Sequence, residues 1–313
     1  MEKPILSIRI PTYNRPEQIQ MQVRRLLPQL CDEVILEVFD NCSPQKVEEL
    51  FSEEEKKLFL ITRHSTNIGG DANIARCFEN CLTPWLWTLS DDDYVMDNAI
   101  KKALNYITCN KDCVFINCLS HNQGKTYNFA EFAKKLSDAS MFGSSFAMST
   151  CFYNIKLLSK DLILYYRYLS SMLGTLLMVA KNVQRTGNKC FFVRDIFVEL
   201  CDDVGWNYGT YIYFSSLFVY AFKKGDKRIN IRKTLLLGYF ELNYYLIEQN
   251  RKSSYIGYIQ RIQLFIKATK LQGLFNSLYY CPQRWARALL FVLLGQTVTE
   301  KIRKIKHKIE NCK

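Results

Sequence analysis

Proline and histidine are scarce in this chain, Gly/Pro/Ser-rich linkers are missing, and no secretory leader is expected from its first residues. Only seven prolines occur in 313 residues, and none falls between Pro84 and Pro282, so nothing in that interval interrupts helices. The three histidines, His64, His121 and His307, lie far apart, and the twelve cysteines include no C-x-x-C pair, only wider spacings such as Cys77/Cys81 and Cys109/Cys113. Both facts argue against a zinc site. The segment Met1 to Ile10 has no basic lead, long apolar core or small-residue cleavage site, which predicts a protein that starts in the cytosol. Cysteines spread from Cys31 to Cys312 in so large a chain then read as free, mostly buried thiols, because disulfide frameworks belong to small secreted domains. No internal repeat appears, and neither G-x-x-x-x-G-K-[ST] nor G-x-G-x-x-G is present, so any nucleotide must be held without those loops.

With 48% hydrophobic, 14% aromatic and 23% charged residues, the composition is that of a globular chain long enough for one large or two small domains. Lys and Arg outnumber Asp and Glu by 42 to 30, a net +12 that suits nucleic acid, an anionic membrane or phosphorylated ligands. The position of the charge discriminates. From Arg284 to Lys313 there are eight basic and two acidic residues, and this stretch contains Trp285 and the apolar run Ala288 to Leu294. Seven apolar residues fall short of the roughly twenty needed to span a bilayer. They can lie on an anionic surface beside a basic tail, or form an ordinary terminal helix with a solvated end. Basic residues do not interleave with aromatics in a recognisable motif, so no nucleic-acid partner is expected.

The chain pivots on Trp85-Leu86-Trp87-Thr88-Leu89-Ser90-Asp91-Asp92-Asp93-Tyr94, an apolar run that ends in three consecutive carboxylates. It reads as a buried strand delivering acid to a sheet edge. Acids this close repel unless they are solvated or share a hard cation such as Mg2+ or Mn2+. An exposed acidic turn or helix N-terminus is the alternative. Upstream, Ile5 to Ile10 alternates like a strand and turns at P-T-Y-N-R-P, and Glu17 to Leu30 has apolar residues at helical spacing. Val34 to Phe39 is a second strand, Val47 to Lys57 a polar helix, Phe59 to Thr62 a third strand and Ala72 to Cys81 a further helix after a Gly-bearing loop. Strand and helix alternate, which predicts an α/β fold with a mainly parallel sheet. In such sheets ligands bind beyond the carboxyl ends of the strands. Those ends carry Thr12, Asn14 and Arg15; Asp40 and Asn41; Asn67, Gly69 and Gly70; and Asp91 to Asp93.

The ordered set I-P-T-Y-N-R-P, F-D-N-C-S, N-I-G-G-D-A-N-I-A-R and S-D-D-D, spanning Leu6 to Tyr94, resembles family 2 glycosyltransferases of the GT-A fold. It is similar in particular to the bacterial abequosyltransferase-like and O-antigen or capsule transferases. The resemblance implies a Rossmann-like core, a nucleotide-sugar donor and a divalent cation, Mn2+ or Mg2+. It implies that Pro11, Thr12 and Tyr13 line the base and ribose, with Arg15 a further contributor. Asp40 would hydrogen-bond the base, although an Asp before Ser43-Pro44 can also simply form the turn. Asn67, Gly69 and Arg76 would sit beneath the nucleotide, unless Arg76 only pairs with an acid. Asp91 and Asp92 would lie near ribose and sugar, and Asp93 would bind the cation. Asn41 and Cys42 depart from the usual pattern, which leaves the base preference open.

Val114 to Asn117 and Ser145 to Met148 can be strands, and from Asn154 the sequence turns helical. Three regions are expected: residues 1–153 as the nucleotide-sugar-binding and metal-binding core, 154–283 as a mostly helical acceptor side, and 284–313 as the basic amphipathic tail. The aromatic stripes Tyr208 to Phe214 and Tyr239 to Tyr245 favour core over carbohydrate platform. Inverting transfer requires a base for the acceptor hydroxyl, and the resemblance puts a carboxylate about a hundred residues past the acids, often as an E-D pair. No E-D pair occurs there, so Asp202 and Asp203 lead, with Asp195 and Glu199 as alternatives; a plain acidic turn competes. The resulting expectation is a hexosyl- or deoxyhexosyl-transferring enzyme of bacterial surface-polysaccharide synthesis (lipopolysaccharide or capsule). It would work at the cytoplasmic face of the membrane on a saccharide or polyprenyl-diphosphate-linked acceptor. A nucleotidyltransferase would need a basic, Gly-rich phosphate loop after strand one, which P-T-Y-N-R-P is not. A non-catalytic membrane-associated binding module is opposed by the intact acids.

Overall fold

The protein is described by a computed structural model over residues 3–201, 218, 221–222, 234–240, 242–244 and 258–294. The first strand, β1 (Leu6–Thr12), is wholly buried, and its Leu6, Ile8 and Ile10 share one core with Ile19, Val23 and Leu26 of α1 (Pro16–Leu26). Apolar residues at spacings of three and four put a single face of α1 onto the sheet. The chain continues through β2 (Val34–Asp40), α2 (Glu53–Lys56), β3 (Leu60–Arg63), α3 (Gly70–Arg76) and β4 (Trp85–Thr88). The strands lie in the order β3-β2-β1-β4, all parallel, so their carboxyl ends share one edge. Sequence alternation predicts this half directly.

The second half of the sheet is mixed. After β5 (Tyr94–Val95) and α4 (Ala99–Cys109) come β6 (Cys113–Asn117), β7 (Gly124–Thr126), α5 (Phe129–Lys135), α6 (Ala139–Ser144) and β8 (Cys151–Asn154). β8 inserts antiparallel between β4 and β6. The strand expected at Ser145 to Met148 therefore sits at Cys151–Asn154 instead. Residues 145–150 form a turn closed by the Thr150 hydroxyl, which donates to the carbonyls of Ser144 (2.7 Å) and Ala147 (2.9 Å).

Helices do follow Asn154: α7 (Ile155–Leu158), α8 (Leu162–Arg167) and α9 (Gly174–Thr186). The chain then returns to the sheet as β9 (Lys189–Phe192), parallel to β6, a strand the helical expectation passes over. Gly187, in the left-handed region at φ 72°, ends α9 and makes that return possible. Finally β10 (Val198–Glu199) pairs antiparallel with β5, bringing the chain back beside the acids.

Arg9 is the charged exception inside β1. Its guanidinium donates to the carbonyls of Cys77 (2.8 Å), Glu79 (2.6 Å) and Asn80 (3.2 Å), satisfying groups just beyond the end of α3. Its Nε lies 3.1 Å from Glu37 Oε2, near enough for an ion pair although the N–H is not aligned for a hydrogen bond.

Two compact units result: residues 1–132 with 143–205, and residues 133–142 with 206–313. In the second, the helix at 234–240 approaches the backbone at Leu136 so closely that a Cβ on Gly238 would meet the Leu136 carbonyl oxygen at 1.7 Å. Tyr239, Phe240 and Tyr244 are buried there, so this aromatic stripe belongs to the core; the stripe at 208–214 lies outside the described residues. Among the described residues no helix is long and apolar enough to cross a membrane.

Candidate active site

Register brings the ends of β1 and β2 together, Thr12 opposite Asp40, and β4 runs alongside β1 before releasing Ser90 to Asp93. Local sequence permits the sharp turns involved. Asn14 and Cys42 adopt left-handed backbone at φ 54° and 65°, and Gly69 lies at φ 87°. Asn and Gly tolerate that region. The Asn14 amide donates to Ser43 Oγ at 2.9 Å, tying the turn after β1 to the turn after β2.

Each oxygen of the three acids accepts one hydrogen bond. Thr12 Oγ1 donates to Asp91 Oδ2 (2.6 Å), and Arg15 Nη1 bridges Asp91 Oδ1 (2.8 Å) and Asp92 Oδ2 (2.7 Å). Ser90 Oγ donates to the other oxygen of Asp92, at 2.5 Å. Asp93 accepts from Ser149 Oγ (2.5 Å) and from the Cys201 backbone N–H (2.8 Å). The electrostatics therefore differ along the triplet: Arg15 offsets charge on Asp91 and Asp92, whereas the two hydrogen-bond partners that Asp93 has among the described residues are neutral.

Burial pushes the Asp91 carboxyl above its ordinary value, against the opposing pull of Thr12 and Arg15. Burial also raises Asp93, opposed by Ser149 and the Cys201 N–H and reinforced by the charge of Asp92. A raised folded-state value means that the folded protein holds a proton that the unfolded chain has lost. Stability therefore falls as pH rises from about 3.8 through the raised value. Asp93→Asn is accordingly expected to melt higher than the parent at neutral pH without divalent cation, the gap closing on acidification through that window. Melting curves of both proteins across a pH series in EDTA check it; a gap that widens in acid reverses the sign.

Asp40 is fully buried, its Oδ1 accepting from the Ser43 N–H at 2.8 Å and its Oδ2 meeting Arg63 Nη1. Asn41 accepts from the Ile68 N–H and donates to Asn67 Oδ1, which also accepts from the Gly69 N–H, all at 2.9 Å. Pro11 and Thr12 are buried at the end of β1, and Tyr13 is exposed beside them. Thr12, Arg15, Asp91, Asp92 and Asp93 are thus drawn together, and Asn67 and Gly69 are linked through Asn41, the residue next to Asp40 in the chain. Arg76 joins neither. It pairs with Glu79 at the end of α3 and lines a groove of about 500 Å³ on the sheet face that carries Arg9 and Glu37.

Asp195 is held by Lys102 of α4 (2.9 Å) and accepts from the Tyr106 hydroxyl (3.5 Å), apart from the acid cluster. Glu199 is exposed on β10, opposite Tyr94. Asp202 and Asp203 lie outside the described residues; the last residue described before them, Cys201, is the one whose N–H binds Asp93. Sequence reasoning misses Arg63 and Ser149. Only the strand pairing places Arg63 opposite Asp40, and only the 3-10 turn Met148–Thr150 puts Ser149 beside Asp93. Among the described residues no group of three His, Cys, Asp or Glu side chains is arranged as a ready-made metal cage.

Residues 7–170 match the family model described as glycosyl transferase family 2. An uncharacterized glycosyltransferase of Haemophilus influenzae is 30% identical over 129 residues, 39% of this chain and 42% of that protein. The chain spans less than half the length of the curated relatives it matches. Among solved structures, S. aureus TarS 1-349 superposes with a TM-score of 0.64 at 14% identity, covering 93% of this chain and 92% of that one. The same TarS segment is known in complex with UDP-GlcNAc. The mannosyltransferase PcManGT of Pyrobaculum calidifontis, in complex with GDP-Man and Mn2+, gives a TM-score of 0.53 at 11% identity over 93% and 86% of the two chains. These structures share the fold derived above.

Proposed function

The chain belongs to glycosyl transferase family 2 and has the GT-A fold, and from that premise we propose that it transfers a hexose or deoxyhexose from a nucleotide-sugar to a saccharide or lipid-linked acceptor of bacterial surface-polysaccharide synthesis, with inversion. The observation that carries this is the uneven charge of the triplet: Asp93, buried at the strand ends, has no cationic hydrogen-bond partner among the described residues while Arg15 serves Asp91 and Asp92. Its oxygens each keep acceptor capacity beyond the one hydrogen bond observed. Mg2+ and Mn2+ sites of nucleotide enzymes characteristically combine one or two carboxylates with substrate phosphates and water, and that donor set fits here, with Asp93 the protein ligand. The cation supplies charge neutralisation to the departing nucleoside diphosphate.

The chain's own residues do the remaining work. Asp40, with Arg63, and the Asn67-to-Gly69 loop line the base end, and Thr12 and Arg15 fix Asp91 and Asp92 toward the ribose and sugar. Asp202 or Asp203, next in sequence after Cys201, takes the proton of the acceptor hydroxyl as its oxygen attacks the anomeric carbon from the face opposite the diphosphate. A peripheral position on the inner membrane face agrees with the net +12 charge and with exposed Leu274, Phe275, Tyr279, Leu290, Leu293 and Leu294. The basic residues from 301 onward lie outside the described residues.

The test is thermal stabilisation by UDP-, GDP-, CDP- and dTDP-sugars with and without Mn2+, since a ligand bound only by the folded state raises its apparent stability. One nucleotide-sugar class is expected to raise the melting temperature by several degrees, more with Mn2+. No stabilisation by any of the four classes overturns the proposal.

A further inference from the structure

At the end of β4, the strand that leads into the acids, lies a cavity separate from the groups assigned above. It is about 50 Å³ in volume and is walled by the start of α3, the end of β4, the turn before β8, and the region from α8 to the start of α9. Three of its polar groups stand out. Thr88 and Tyr153 are 0% and 1% exposed; the Thr88 hydroxyl has no hydrogen-bond partner among the described residues, and the Tyr153 hydroxyl lies beside Thr175 and Cys151. Asp71, in the first turn of α3, makes no hydrogen bond or ion pair with the described residues, and burial raises its carboxyl above the ordinary value.

Leaving a buried hydroxyl such as that of Thr88 unpaired costs about 1–3 kcal/mol, and native proteins rarely leave one so. The cavity is also kept open by design of the backbone. A Cβ on Gly174 would meet the Tyr165 ring at 2.3 Å, so glycine there lets that ring stand as a wall. Chain adjacency joins the cavity to the acids. Thr88 precedes Asp91 by three residues on the same strand end, and Met148, another wall residue, precedes the Ser149 that binds Asp93.

Resting on the function proposed above, we infer that Asp71, Thr88 and Tyr153 form the subsite that reads the hydroxyl groups on one edge of the transferred sugar. The chemistry matches in both directions. An ionised carboxylate only accepts, and vicinal sugar hydroxyls donate; the Tyr and Thr hydroxyls supply the complementary donors. Size agrees as well: at about 10–15 Å³ per oxygen-sized group, the cavity admits a few hydroxyls along one ring edge, not a whole sugar. Because a buried polar site left unpaired penalises the wrong ligand, a donor deoxygenated at that edge is discriminated against.

The experiment compares binding of the nucleotide-sugar that stabilises the wild type with binding of its free nucleoside diphosphate, by calorimetry, in wild type, Asp71→Asn, Thr88→Val and Tyr153→Phe. The last two are near-isosteric, and Thr88→Val removes a hydroxyl that has no partner among the described residues, so they keep the fold even where Asp71→Asn does not. Asp71→Asn is expected to weaken the nucleotide-sugar about 10–100-fold, as loss of a charge-assisted hydrogen bond does. Tyr153→Phe and Thr88→Val weaken it about 3–10-fold on the same scale, and free diphosphate binding stays within twofold. If the folded variants bind both ligands as wild type does, the cavity holds only water and the subsite is refuted while the enzyme assignment stands. Equal losses for both ligands also refute it, because the effect is then on the nucleotide. A wild type that binds no nucleotide-sugar overturns the function first and this subsite with it.

Discussion

Asp93→Ala is expected to abolish cation-dependent sugar transfer while leaving the protein folded. The loss follows from the charge pattern: Arg15 bonds the first two acids, so the one carboxylate of the triplet whose partners among the described residues are all neutral is removed. Metal stabilisation of a departing diphosphate is worth several kcal/mol, and at 1.36 kcal/mol per tenfold this corresponds to a fall of about 10²–10³ or more in turnover. Retention of the fold follows from opposing effects. Alanine strands the Ser149 hydroxyl and the Cys201 N–H, at about 1–3 kcal/mol each if they stay dry, but it also removes a buried carboxylate that burial disfavours. Asp93→Asn keeps acceptor capacity for the N–H and is the cleaner variant for stability. Turnover measured against Mn2+ concentration, with melting curves as the fold control, decides the matter. Near wild-type turnover with an unchanged Mn2+ response in a folded Asp93→Ala protein removes the basis of the metal assignment.

The first four strands were legible because each is short, periodic and closed by its own turn chemistry, and because sequential parallel strands leave their ends on one edge. That is why Thr12, Asp40 and Asp91 to Asp93 could be gathered from sequence alone. Legibility fades where pairing becomes non-local. β8 lies between β4 and β6, and β9 between β6 and β7, although α7, α8 and α9 separate β8 from β9 in the chain. No local pattern announces such an order. Cys151–Asn154 is a buried run of four residues without alternation, and a neighbouring stretch of similar composition, Ser145 to Met148, competes for the strand.

The same limit applies to the partners of the acids. Ser149 is 56 residues from Asp93 and Cys201 is 108 away. Arg63 reaches Asp40 only because β2 and β3 pair in the register that sets them opposite each other. Asp71 is distinguished by having no hydrogen-bond partner among the described residues while it lines a cavity. Sequence offers no signal for a missing hydrogen bond.

Asp202→Asn or Asp203→Asn is expected to lower turnover about 10²–10⁴-fold, the range for loss of a general base, with donor binding nearly unchanged. Inverting displacement puts a requirement on the base: it must receive the acceptor proton on the face of the sugar away from the diphosphate. The chain supplies a reason to look just after Cys201. β10 pairs with β5 immediately beyond the acids, and the Cys201 N–H binds Asp93, so the chain is held beside Asp93 up to Cys201. The two alternatives serve as internal controls with different environments. Asp195 is already engaged by Lys102 and Tyr106, which gives it a structural part in holding α4, and Asp195→Asn should alter melting more than turnover. Glu199 is exposed and, among the described residues, paired through its backbone to Tyr94, so Glu199→Gln should change neither. Asparagine and glutamine preserve shape while removing basicity, so a loss confined to turnover separates proton transfer from folding. If Glu199→Gln alone carries the loss, the base moves to β10. If all four variants turn over normally, the acceptor proton leaves by another group, and the stretch after Cys201 is not the acceptor side of the cleft.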